Sequence, residues 1–171
     1  MKVEIVCFIK KTKPENTFPF NETNKIELVS YEYRSRLSIA NDELIKGGKF
    51  IVPKIHQRII LNRTRSDSIF SILVNIQSHA LVDSLSVGAD CYNPQHSIVF
   101  YKNDVAVAFF EICFSCHGMR KSKGIEFGMF CFEKFCILER FFIANKVDYG
   151  INVEEFNFEC ASILEPESTK Q

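Results

Sequence analysis

The sequence predicts an α+β domain: a mostly antiparallel sheet around a central hairpin at about residues 97–113, with two packed helices at about 67–77 and 133–146. Three observations lead there. Ser97-Ile98-Val99-Phe100-Tyr101 and Val105 to Cys113 flank the turn-forming tripeptide Lys102-Asn103-Asp104, the pattern of a β-hairpin. The second arm is apolar on both faces, Ala106, Ala108, Phe110 and Ile112 against Val105, Val107 and Phe109, which places it mid-sheet with cover on both sides. Two further segments repeat apolar residues at helical spacing: Ile69, Phe70, Ile72, Leu73 and Ile76, then Phe135, Leu138, Phe141 and Phe142.

In chain order, Met1 to Lys10 alternates and then turns charged, without the apolar run and small-residue cleavage site of a signal peptide. Thr12 to Asn24, with Pro14 and Pro19, reads as a loop. Lys25 to Arg34 alternates around Ile26, Leu28, Val29, Tyr31 and Tyr33, as a strand does. Gly47-Gly48 signals a turn before a short strand, Phe50-Ile51-Val52, which Pro53 ends. Ile55 to Asn62 is a further strand, and Ser66-Asp67 supplies an N-cap for the first helix. Asp83 to Gly88 fits no element. The second helix closes before Gly150, and from Glu165 the chain is polar. No repeat or linker divides it, so one domain spans 1–164 and a flexible tail 165–171.

Composition narrows the class. A chain of 171 residues, 46% apolar and 25% charged, is long enough and apolar enough to bury a core. Its 17 Phe and absence of Trp put most aromatic rings in that core. Lysine plus arginine equals aspartate plus glutamate, 21 each, so a nucleic-acid partner is not expected. No segment reaches the roughly 18 apolar residues of a membrane span. The expectation is a soluble cytoplasmic protein whose seven cysteines are free thiols or metal ligands rather than a disulfide framework. The sequon Asn62-Arg63-Thr64 then has no role.

Chemistry concentrates in one constellation. With the hairpin turn centred between Asn103 and Asp104, cross-strand partners pair so that His96 faces Glu111, Pro94 faces Cys113 and Cys91 lies near Cys116. Cys91, His96, Cys113 and Cys116 then gather at the open end of the hairpin, and thiolate and imidazole are the ligands zinc prefers. Cys113 and Cys116 have the two-residue gap of half a zinc knuckle. The bland alternative is a set of buried thiols, because Cys is among the most buried residue types. Cys113-Phe114-Ser115-Cys116-His117 also matches the c-type haem attachment pattern, but it ends a strand instead of opening a helix. A redox pair needs a helix N-terminus to activate it, and Gly118 to Ser122 reads as a loop. Cys7, Cys131, Cys136 and Cys160 read as core residues. Glu111 is a lone charge on an apolar strand; it either orients His96 beside a metal or sits where the strand meets solvent. The seven glycines form no phosphate-binding loop, and no nucleophile elbow appears.

The block Cys91-Tyr92-Asn93-Pro94-Gln95-His96, then Ile98 to Tyr101, then Glu111-Ile112-Cys113-Phe114-Ser115-Cys116, resembles a group of uncharacterised small bacterial proteins. Those carry a C-F/Y-x-P-x-H segment, a hairpin and an I-C-F-x-C segment, followed by an aromatic helix like Phe132 to Phe142. The resemblance covers about residues 88–150 and implies that the cluster is a unit; it carries no activity. His117 falls outside the shared pattern. The Lys-, Asn-, Ile- and Phe-rich composition suits an AT-rich bacterial genome. The expected function is a non-enzymatic cytosolic bacterial domain that binds another protein, as an accessory or immunity-like factor, with zinc as its cofactor if it has one. The alternative is a thiol- or metal-dependent enzyme using Cys113, Cys116 and His96, with Glu111 assisting.

Overall fold

The computed structural model describes residues 7–33, 43–78, 92–128 and 130–161. The expected tail at 165–171, the segment Asp83 to Gly88, and Cys91 lie outside the described residues. The strands are β1 (Cys7–Ile9), β2 (Lys25–Tyr31), β3 (Ile45–Lys46), β4 (Lys49–Phe50), β5 (Ile55–Ile60), β6 (Ile76–Ser78), β7 (His96–Lys102), β8 (Val105–Cys113) and β9 (Gly118–Lys121). The α-helices are α1 (Arg63–Phe70), α2 (Phe132–Ala144) and α3 (Val153–Glu159). β5, β2, β7, β8 and β9 form one sheet in that order with every pair antiparallel, while β1 pairs with β6 and β3 with β4 in two small sheets. The protein is α+β.

Two-residue turns set the hairpins. Asn103 and Asp104 both take positive φ, 52° and 65°, and Gly47 and Gly48 do the same at 58° and 73°. Those angles are the primed turns whose twist matches that of antiparallel strands. The two hairpins touch: the Ala106 amide donates to the Gly48 carbonyl at 2.8 Å, and a Cβ on Gly48 would stand 2.6 Å from Val105. Only glycine fits there.

The doubly apolar arm lies, as expected, inside the sheet. From one face Ile26, Leu28, Ile98, Phe100, Ala108, Phe110 and Ile112 pack under α1 and α2. Phe135, Leu138 and Phe142 of α2 supply the opposing layer, which is why their spacing was helical. From the other face Val29, Tyr31, Val99, Tyr101 and Ala106 pack against Ile45, Phe50, Val52 and Ile55.

Three local expectations need correction. The first helix begins at Arg63, four residues before Ser66-Asp67 would start it, because the Asn62 side chain accepts from the Arg65 amide at 3.0 Å and serves as the N-cap. It continues past Phe70 as a π-turn over Ser71–Asn75 and then passes into β6, so Ile76 is a strand residue. Gly118 to Lys121 is not a loop but β9, paired along the end of β8.

Candidate functional site

The residues singled out from sequence depend on hairpin register, and that register carries a one-residue bulge. Lys102 pairs with Val105 and Tyr101 with Ala106, but Phe100 pairs with Ala108, leaving Val107 as the extra residue. Every pair beyond the bulge is displaced by one, and side chains in a strand alternate faces, so a one-residue slip exchanges neighbours across the sheet. His96 therefore faces Ile112, and Ser97, not His96, faces Glu111.

The register bears on two of the expected zinc ligands, His96 and Cys113; Cys91 lies outside the described residues. His96 shares the face of Ile98 and Phe100 and packs between the rings of Phe114 and Phe142, at 5.1 and 5.4 Å. Glu111 and Cys113 alternate with Phe110 and Ile112 and point to the opposite face. The sheet separates His96 from Cys113, so the two do not share a tetrahedron. Among the described residues no group of three or more His, Cys, Asp or Glu side chains could hold a metal ion. Burial drives the His96 imidazole down to about 4, against the raising effects of a hydrogen bond with the Tyr149 backbone and the Asp148 charge. It is neutral at ordinary pH, and its Nε2 has no hydrogen-bond partner among the described residues.

The sheet does gather a polar cluster, and Glu111 is its centre. The carboxylate is fully buried. Tyr31 donates its hydroxyl to Oε1 at 2.9 Å, Tyr92 donates to Oε2 at 3.2 Å, and Arg120 Nε forms an ion pair with Oε2 at 3.1 Å. Tyr31 also meets the Ser97 hydroxyl at 2.9 Å. Register explains the assembly: Ser97 and Arg120 are the cross-strand neighbours of Glu111 on β7 and β9. Tyr31 reaches in from the end of β2. Burial, followed by the Glu111 charge, raises the hydroxyls of both Tyr31 and Tyr92 far above the usual phenol range, so they remain donors. A charge buried this deeply persists only when paired and hydrogen-bonded, and here it is both.

Of these residues only Glu111 was marked by its sequence, as a carboxylate in an apolar run. Arg120 could have been found had β9 been recognised, and Ser97 had the bulge been known. Tyr92 and Tyr31 gave no sign beyond their polar tips.

Cys113 follows Glu111 on the same face and is buried; its Sγ lies 3.5 Å from the Ser115 hydroxyl. Phe114 to His117 form the turn between β8 and β9, with His117 at φ 52°. No helix begins there, so neither thiol has the helix N-terminus that a redox pair needs. The His117 ring packs on Phe132 and Phe135 at 4.8 and 5.6 Å.

The other cysteines overturn the expectation of unbridged thiols. Cys7 is bonded to Cys131 and Cys136 to Cys160. Their Cα atoms are 6.4 and 5.3 Å apart, within the range a disulfide spans. Cys131, Cys136 and Cys160 are buried in the core, as expected, and Cys7 is half-buried.

A second carboxylate, Glu27, is buried toward the β5 edge of this face. Arg58 grips it with two nitrogens at 3.0 and 2.6 Å, and Tyr101 donates to it at 2.9 Å. On the helical side, the amine of buried Lys134 donates to the Leu73 and Phe127 carbonyls at 2.6 and 3.1 Å and lies 3.9 Å from the Phe130 ring. Burial lowers it to about 7, helped by the Lys121 charge. Comparisons with protein-family models, curated proteins and solved structures give no match to this chain.

Proposed function

We propose that this is a non-catalytic protein-binding domain that receives its partner at the β5 edge of the sheet. The observation that carries the proposal is that edge itself. Among the described residues β5 has a neighbour on one side only, and it presents Ile60, 58% exposed, beside the outward Arg58. A six-residue strand whose outer edge is unpaired among the described residues offers a row of backbone donors and acceptors to an extended peptide, while the side chains beside it choose the sequence. The Glu111 cluster supports the same reading, because its hydroxyls and guanidinium already satisfy the carboxylate. Such a network fixes the sheet to which the edge belongs.

The small bacterial proteins resembling the 91–116 block would then share a buried structural cluster rather than a reaction, and an accessory or immunity-like role is one use of such a domain. Zinc is not part of this reading, since His96 and Cys113 lie on opposite faces. The enzyme alternative loses His96 for the same reason. Two disulfides favour an oxidising compartment over the expected cytoplasm. No helix of the described residues is long and apolar enough to cross a membrane.

The test is capture with chemical cross-linking, using the tagged wild-type chain and an Ile60→Glu variant. The wild type should give one dominant partner with cross-links mapping to residues 54–60. Ile60→Glu should lose it while changing stability by no more than about 0.5 kcal/mol. Capture that survives the substitution, or cross-links that map elsewhere, would reject the edge.

A further inference from the structure

The C-terminal helix is attached in an unusual way. α3 is seven residues long and exposed along its length, apart from half-buried Phe156, and Phe158 is 87% exposed. No hydrogen bond or ion pair joins its side chains to another element among the described residues. An isolated helix this short is not stable in water. What fixes it is its end: Cys160, immediately after the last turn, is bonded to Cys136 in the middle of α2.

The surface beneath it opposes docking. α2 presents Glu139 to Glu155 and Glu159 of α3 around one cavity, and burial first, then these two charges, raise the Glu139 carboxyl to about 7. His117, in the β8–β9 turn, does not offset them, because burial keeps its imidazole below its ordinary value although Glu159 and Glu155 pull it upward. Between helix and turn lies a cavity of about 50 Å³ lined by Phe114, Ser115, Glu139, Ile151, Glu155 and Phe156. α3 thus lies over the Phe114 end of the β8–β9 turn, with like charges opposing its docking and one covalent bond tying its end to α2.

We propose that α3 is a redox-latched clasp, closed over the β8–β9 turn by the Cys136–Cys160 disulfide and released when a dithiol reductant opens that bond. The step balances as a two-electron exchange. The sulfur–sulfur bond breaks, Cys136 and Cys160 each take a proton as thiols, and the reductant closes to its own disulfide. Both cysteines are buried, so the reductant reaches them when the short helix frays. Once the bond is broken, repulsion among Glu139, Glu155 and Glu159 keeps α3 away above neutral pH. Release uncovers Phe114 and Ile151, which line the cavity, without disturbing the sheet.

Hydrogen exchange read by mass spectrometry tests this at pH 8, with oxidised wild type as reference. A Cys136→Ser/Cys160→Ser variant, which leaves Cys7–Cys131 intact, should speed exchange about tenfold or more in peptides over 150–160 and 114–117. Peptides from β7 and β8 should not change, and dithiothreitol added to wild type should reproduce the pattern. Adding Glu155→Gln and Glu159→Gln to the cysteine variant should return most of the protection to 150–160. Three results would overturn the clasp: unchanged protection of α3 in the variant, loss that spreads to β7 and β8, or a wild type indifferent to dithiothreitol. If the variant does not fold, dithiothreitol added to a Cys7→Ser/Cys131→Ser variant, which keeps Cys136–Cys160, decides in its place. Failure of the charge pair to restore protection would overturn the repulsive part.

Discussion

The two faces of the central sheet solve burial in opposite ways. Under α1 and α2 the sheet is packed by hydrocarbon, with Phe100, Phe110, Phe127 and Phe142 filling space and neutral His96 taken in among them. On the other face the same strands carry two buried carboxylates, each held by an arginine and at least one tyrosine: Glu27 by Arg58 and Tyr101, Glu111 by Arg120, Tyr31 and Tyr92. The helical face gains from area removed from water and is insensitive to small changes of direction. The carboxylate face gains little from area and depends on every partner being present. The difference teaches which face determines stability and which determines the uniqueness of the strand register.

That comparison can be broken or sharpened experimentally. The largest effect should come from Phe110→Ala on the helical face, a loss of about 3–5 kcal/mol in urea unfolding. A loss under about 1 kcal/mol would mean that the face is loosely packed and the contrast false. Arg120→Ala should cost a comparable amount, about 3–5 kcal/mol, because it leaves Glu111 buried without its cation. Arg58→Ala should cost only about 1 kcal/mol, since the Arg58 side chain is 54% exposed and water can replace it. Equal costs at the two arginines would show that the clusters are equivalent despite their different burial.

The smallest effect is a pH dependence on the helical face. His96 has a folded pKa lowered to about 4 from its ordinary 6.5, so below 6.5 the unfolded chain binds a proton that the folded chain refuses. Stability should therefore fall as pH drops from 6.5 toward 4, and His96→Phe should remove that part of the slope. An unchanged slope in the variant would assign acid sensitivity to other groups.

Much of this fold could be read from residue order, and the misses share a cause. The hairpin was legible because Asn103 and Asp104 accept positive φ and because both faces of β8 are apolar. Helix α2 was legible from its Phe and Leu spacing. The bulge at Val107 was not, since its sequence differs in no way from regular strand; twist and neighbouring strands decide it. That single residue moved Ser97 to the place expected for His96 and put His96 opposite Ile112. β9 was missed because Gly118-Met119-Arg120-Lys121 has no alternation, and its strand state comes from the edge that β8 offers. The cysteine pairings were beyond reach because spacing does not determine connectivity.

Both disulfides end on the segment 131–136, and this has a consequence for synthesis. Cys7 is separated from its partner by 124 residues, Cys136 from its own by 24. At about 5–20 residues per second, Cys7 waits roughly 6–25 s before Cys131 exists. Over the last 18 residues of that interval, roughly 1–4 s, the β7–β8 segment and its thiol at Cys113 have been made while the correct partner has not. An order of appearance of this kind lets the nearer cysteines compete for Cys7, and makes the segment from Cys131 to Cys160 the arbiter of which bonds survive.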